Sequence, residues 1–189
     1  MVLLVFSVSA AVPSQSPYVK NRRWRTYRNA NYNFSLRYPA HGWSKYEGFD
    51  QNGVSLRPLD KSRFHLPPEI GVGGAVGQPS DADETRSRNL EEDFQFGLDA
   101  LKEYGHARNL VVLSKASTTI QGRRAIVSTT RYEHSSTGYI WFHKEILIHT
   151  EDDSPTYHLE LYCSPDDAPV LVPLFDNISK TFRILGPPA

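Results

Sequence analysis

The sequence predicts an α+β domain built on an antiparallel sheet, and three observations carry that prediction. Residues 122–133, 139–151 and 156–163 read as consecutive strands of a meander, linked by His134-Ser135-Ser136-Thr137-Gly138 and Asp152-Asp153-Ser154-Pro155. Alternation along them divides their side chains into two faces, because successive strand residues point to opposite sides. Ile140, Phe142, Ile146 and Ile148 share one face, broken only by Lys144, and Tyr157, Leu159, Leu161 and Cys163 continue it. The opposite face is mixed: Trp141, His143, Glu145, Leu147 and His149, then His158, Glu160 and Tyr162. That is a sheet packed well on one side and less dryly on the other. The third observation is one long helical stripe ahead of the meander, Leu90, Phe94, Leu98 and Leu101.

The chain has 189 residues, enough for one domain with a proper core. Its formal net charge is zero, whereas a dedicated nucleic-acid binder needs a basic excess to neutralise phosphates. Ten Tyr, nine Phe and three Trp suit a β-rich core. A single cysteine, Cys163, excludes an intrachain disulfide and a multi-cysteine zinc site; its place at the end of a strand suits a buried small hydrophobe.

Residues 2–12 are apolar and then small, and Val8-Ser9-Ala10 resembles the cleavage end of an export signal. The basic start of such a signal is missing, so residues 1–17 are expected to be the remnant of a signal peptide or a disordered leader, with an initiator further upstream. The apolar run falls short of the ~20 residues a membrane span needs. Residues 18–28 are expected to form a basic linker: Lys20, Arg22, Arg23, Arg25 and Arg28 are interleaved with Trp24 and Tyr27. The sharper alternative is a patch for an anionic surface. Residues 29–186 are then one domain.

Within it, 32–38 alternates as a strand, with Tyr32, Phe34, Leu36 and Tyr38 on one face, and Pro39 ends it for want of an N–H. Short strands are expected at 43–47 and 53–58, a loop at 59–68 and a glycine-rich strand at 69–76. Gly71, Gly73, Gly74 and Gly77 lack the Gly-Lys-Ser/Thr ending of a phosphate loop, so they are read as packing or bulge positions. A helix is predicted over 81–104, capped by Ser80 or Asp81, finished by Tyr104 and stopped by Gly105. Gly97 inside it costs about 1 kcal/mol against Ala and suits close contact with the sheet. Its acidic residues, Glu91, Glu92, Asp93, Asp99 and Glu103, read as a solvated face. A strand at 110–121 leads into the meander. After it, Ser164 and Pro165 start a turn, and Pro169 and Pro173 delay an unbroken helix to about 170–180, with Leu171, Leu174, Phe175 and Ile178 facing the sheet. A last extended piece covers 181–185.

One place offers chemistry. A tight hairpin over 152–155 puts His149 opposite His158 and Leu147 opposite Glu160. Cross-strand Cβ atoms lie ~5 Å apart, close enough for two imidazoles to share an ion, with Glu160 or Glu145 beside them. His149, His158 and Glu160 are thus the candidate metal ligands, for zinc or copper; no other cofactor is expected. The competing reading is a polar, solvent-facing hairpin end. No Gly-x-Ser-x-Gly and no supported Ser-His-acid order is present.

The pieces together resemble the PsbP-like (PsbP/DcrB-like) family. The resemblance rests on Tyr32-Asn33-Phe34-Ser35-Leu36-Arg37-Tyr38-Pro39 followed by Trp43, on a middle helix, on Gly122-Arg123-Arg124-Ala125 opening a meander, and on Phe175 through Ile178-Ser179-Lys180-Thr181-Phe182-Arg183, with Thr181 where the family has Ser. It spans roughly 27–185. It implies a single antiparallel sheet flanked by helices, an α/β/α sandwich. It also implies an exported or lumenal location for many members, and it does not imply an enzyme. Named members are an extrinsic photosystem II subunit, assembly factors and, in a distant nuclear branch, a small-GTPase partner. No functional residue carries over. The expected function is that of an exported, non-enzymatic, monomeric domain acting on an unknown protein partner as an accessory or assembly factor. The alternatives are a metal- or small-ligand-binding module on the His149/His158 face and a hydrolase with an unrecognised site.

Overall fold

The computed structural model describes residues 23–47, 52–75, 89–150 and 156–186. The expected leader 1–17, the caps Ser80 and Asp81 and the link 152–155 lie outside them.

The strands fall into two sheets rather than the single one expected. β3 (Trp43–Glu47), β4 (Gly53–Pro58), β5 (Glu69–Ala75), β6 (Ala107–Ile120), β7 (Arg123–His134), β8 (Ile140–Ile148) and β9 (Thr156–Cys163) form a seven-stranded sheet in the order β3-β4-β5-β9-β8-β7-β6. Every pairing in it is antiparallel. β1 (Trp24–Asn29), β2 (Phe34–Pro39) and β10 (Arg183–Ile184) form a separate three-stranded sheet in the order β1-β2-β10. The linker reading therefore fails for residues 24–28. They form β1, which pairs with β2 from Trp24↔Pro39 to Asn29↔Phe34 and buries Tyr27 and Asn29 while its arginines stay exposed. The basic run hides the strand because only Tyr27 and Asn29 of its six residues are buried, two positions apart on one face.

Two helices complete the described chain. α1 (Leu90–Glu103) lies on the mixed face of the large sheet, where Leu90, Phe94 and Leu98 pack on Ile126 and Leu147. It starts later than predicted. Its cap is Asn89, whose side chain accepts from the Glu91 and Glu92 amides at 3.0 and 3.1 Å, while the Asn89 amide donates to Glu92 at 2.9 Å. This reciprocal capping box opens the helix, and the predicted stretch 81–88 lies outside the described residues. Tyr104 is 74 % exposed and does not finish the stripe. A Cβ at Gly97 would meet nothing within 4 Å, so that glycine does not mark a close approach to the sheet.

α2 (Ala168–Ser179) lies on the other face and buries Leu171, Leu174, Phe175 and Ile178 as expected. Pro173 stands inside it rather than ending it. The turn before α2 is built on Ser164 and Asp167. The Asp167 carboxylate accepts from the Ser164 hydroxyl at 2.7 Å and from the His65 amide at 2.9 Å.

The main core fills the space between the apolar face of the large sheet, α2 and the small sheet. Val54, Leu56, Ile70, Val72, Ile146, Ile148, Tyr157, Leu159 and Leu161 meet Phe34, Leu36, Leu171, Phe175 and Phe182 there. Lys144, the exception in the apolar row, reaches Asp176 of α2 at 2.7 Å and lies 5.8 Å from the Phe175 ring. Its stem is covered while its charge is paired. Cys163 is fully buried, and burial, then the Asp167 charge, pushes its thiol up to about 12. It serves as a packed hydrophobe rather than as a thiolate.

Candidate functional site

The polar face of the large sheet carries the chemistry, and the strand register decides who meets whom. The predicted pairing of β8 with β9 is corrected by two residues: Leu147 lies opposite His158, Glu145 opposite Glu160 and His143 opposite Tyr162. The last pair among the described residues is Ile148↔Tyr157. A two-residue slip keeps each side chain on its face and changes its neighbours. His149 is thereby carried past the end of the pairing. Its Nδ1 lies 3.5 Å from a carboxylate oxygen of Asp93 on α1, and both side chains are largely covered. Asp93 thus turns toward the sheet rather than joining the solvated face of the helix.

His158 and Glu160 do come together, with Glu145 in the place expected for His149. One potential ligand atom from each of Glu145, His158 and Glu160 lies within 4.8 Å of the others. His158 Nδ1 and Glu145 Oε1 are 3.1 Å apart. The Tyr162 hydroxyl donates to Glu160 Oε1 at 3.2 Å. The His143 ring stacks on Tyr162 at a centroid distance of 4.3 Å, and its Nδ1 sits 3.3 Å from the Thr130 hydroxyl. His143 and Glu145 are buried, whereas His158 and Glu160 keep about 31 % and 30 % of their side chains exposed. On β5 the residues paired with His158 and Glu160 are Gly73 and Gly71, so no side chain crowds the carboxylate from that strand.

These neighbours shift the titrations. Burial acts to lower the His158 pKa, but its hydrogen bond to Glu145 and the charges of Glu145, Glu160 and Asp93 prevail, and it lies above the ordinary 6.5. Burial acts to raise Glu160, but the nearby His143 and then His158 and the Tyr162 hydroxyl prevail, and it lies below the ordinary 4.5. Burial, then the Glu160 charge, raises Tyr132 to about 12, and the same two causes lead in holding Tyr162 well above its usual value. A histidine raised on folding contributes stability that is complete below its unfolded pKa and is lost as pH rises through the folded one. A depressed glutamate contributes above its unfolded pKa and loses it as pH falls through the folded one. Both contributions coexist between the ordinary values of 4.5 and 6.5. In metal-free buffer, the stability gap between the unmodified protein and His158→Asn should be largest below pH 6.5 and shrink as pH rises further. Urea midpoints across pH measure it; a gap that grows with pH would contradict the ion pairing.

Beside this cluster, a groove of about 380 Å³ is lined by Ser55, Glu69, Tyr132, Trp141, Glu160 and Tyr162, among others. Among the described residues, it is lined by strand and loop residues and not by α1. Tyr132 and Trp141 are cross-strand partners, and Glu69 pairs with Tyr162 across β5 and β9. Glu69 is also held by Ser55 at 2.6 Å and Arg57 at 2.9 Å. The sequence placed Trp141 and Tyr162 on this face but could not show that Tyr132 joins them. Neither could it show that His143 belongs with the carboxylates.

The chain matches no protein-family model and no curated protein. Among solved structures it is similar to cyanobacterial PsbP (CyanoP) from Synechocystis sp. PCC 6803, with a TM-score of 0.61 at 14 % identity, over 88 % of this chain and 95 % of that one. It is likewise similar to the Ran-binding protein Mog1p of Saccharomyces cerevisiae, with a TM-score of 0.61 at 10 % identity over 87 % and 97 % of the two chains. LpqN of Mycobacterium tuberculosis, involved in cell envelope biogenesis, gives 0.56 at 13 % identity over 87 % and 91 %. The fold is therefore of the PsbP/Mog1 kind. Among the described residues no helix is long and apolar enough to cross a membrane.

Proposed function

We propose that this chain is an exported, non-enzymatic PsbP-like domain that acts as an accessory or assembly factor by holding a segment of a partner protein in the groove on its polar face. The observation that carries the reading is the groove itself, where the half-buried Trp141 and Tyr162 line a trough whose wall also holds the buried Tyr132. Aromatic side chains present large contact area at small entropy cost and dominate the energetics of interfaces. Glu69 and Glu160 at the trough supply polar anchors that orient a bound segment without forming a nucleophile–base pair. The name of one fold neighbour, a Ran-binding protein, and the envelope role in the name of another support a contact role, although one fold hosts many functions.

The test is capture from the exported fraction of the native cell with the full chain as bait, followed by an affinity measurement on the recovered protein. Trp141→Ala is expected to weaken the partner by about 30-fold or more, the loss of an interface hot spot of ~2 kcal/mol. Tyr104→Ala, an exposed position on the far end of α1, should leave it unchanged. A partner that binds Trp141→Ala as tightly as the unmodified protein would remove the groove from the account. Retention of the full-length chain in the cytoplasm would remove export.

A further inference from the structure

We propose that Glu145, His158 and Glu160, whose ligand atoms lie within 4.8 Å of one another, bind one divalent cation of the zinc type beside the groove, with His143 joining from its place next to Glu160. The site is independent of the partner reading, which rests on the groove aromatics.

Glu145 and Glu160 face each other directly across β8 and β9. Like charges directly opposite destabilise a sheet. His158 Nδ1 lies 3.1 Å from Glu145 Oε1, so that imidazole is paired with one of the two carboxylates. His143 is the remaining imidazole, and its side chain is only 4 % exposed. Its Nε2 is buried without a hydrogen-bond partner, 3.7 Å from Glu160 Oε1. That distance is too long for a hydrogen bond. It is close to the separation of two donors around one ion: metal–ligand bonds of about 2.1 Å at a tetrahedral angle set their donors roughly 3.4 Å apart.

The surroundings fit the same role. The tautomer of His143 that donates Nδ1–H to the Thr130 hydroxyl leaves the Nε2 lone pair directed toward Glu160. The stacked Tyr162 ring fixes the imidazole plane, and the Tyr162 hydroxyl fixes Glu160. Hydrogen-bonded ligands of this kind are the outer shell that holds metal sites in shape. Two imidazoles and two carboxylates suit zinc and its first-row neighbours rather than the all-oxygen preference of calcium or magnesium. Glu160 also lines the groove, which provides the path of entry.

The test is titration of Zn²⁺ alone into the full chain, followed by calorimetry, with Co²⁺ absorption as a report on coordination geometry. One ion per chain is expected, with tetrahedral-type cobalt bands. His143→Asn and His158→Asn should each lower the affinity at least about tenfold and abolish those bands. His158 is the more exposed of the two, so its variant carries the test if His143→Asn does not fold. His106→Asn, which alters a histidine outside the cluster whose ring lies 5.9 Å from that of the groove residue His134, should leave binding unchanged, as should Trp141→Ala. Absence of saturable Zn²⁺ binding would overturn the proposal. So would binding that keeps its affinity in His158→Asn or loses it in His106→Asn. Loss of partner capture in Trp141→Ala with intact zinc binding would separate the groove from the metal site.

Discussion

Replacing Phe34 with alanine is expected to cost about 3–5 kcal/mol, the range for removing a buried aromatic from a core that cannot collapse around the gap. Phe34 is fully buried, and three rings surround it: Tyr27 at 5.8 Å, Tyr157 at 6.0 Å and Phe182 at 5.5 Å. The partners come from β1, β9 and the segment after α2, so one side chain joins the small sheet, the large sheet and the C-terminal segment. None of these neighbours has a flexible tip that could refill the hole, since aromatic rings move as rigid plates. The Tyr157 hydroxyl also donates to the Tyr32 carbonyl at 2.8 Å, which pins the turn just before β2. With a urea slope of about 2 kcal/mol/M, the midpoint should fall by roughly 2 M. Phe34→Leu, which keeps most of the volume, should fall much less. A loss below about 1 kcal/mol for the alanine variant would mean that the small sheet is not part of the same cooperative unit.

Gly53→Ala is expected to cost about 3 kcal/mol, for the opposite reason. A Cβ at Gly53 would lie 2.4 Å from the Val72 carbonyl oxygen and 2.8 Å from the Gly73 Cα. Both are backbone atoms of β5, so no rotamer change relieves the clash. β4 and β5 would have to separate where Gly53 pairs with Gly73, one strand away from His158. Overpacking of this kind costs 1–3 kcal/mol and sometimes more, and a main-chain neighbour puts it at the top of the range. Gly97→Ala is the matching control. Its Cβ would enter open space within α1, and the change should stabilise by about 0.5–1 kcal/mol through helix propensity. Thermal and urea unfolding of the two variants should move in opposite directions; equal shifts would refute the backbone argument at Gly53.

Much of the fold was legible because alternation and helical spacing are local properties. Tyr157, Leu159, Leu161 and Cys163 were assigned inward from spacing alone, and all four are buried. The α2 stripe Leu171, Leu174, Phe175 and Ile178 behaved in the same way. The elements that escaped were those whose local signal pointed elsewhere. β1 hid beneath its arginines, and the cap of α1 is Asn89, whose capping box with Glu92 was not singled out.

The candidate site divides along the same line. His158 and Glu160 belonged together on one face whatever the register, because they are two residues apart on one strand. His149 did not join them, and Glu145 did, because the pairing of β8 with β9 is shifted by two residues from that of a tight hairpin. The sequence by itself determined which face each side chain occupies, since parity is a property of one strand. Only the tertiary structure decided which strand neighbours it meets and that a second sheet closes the core over Phe34. A two-residue slip leaves every parity unchanged, and the choice between registers is made by how the buried rows of β5, β9 and β8 stack against α2 and the small sheet.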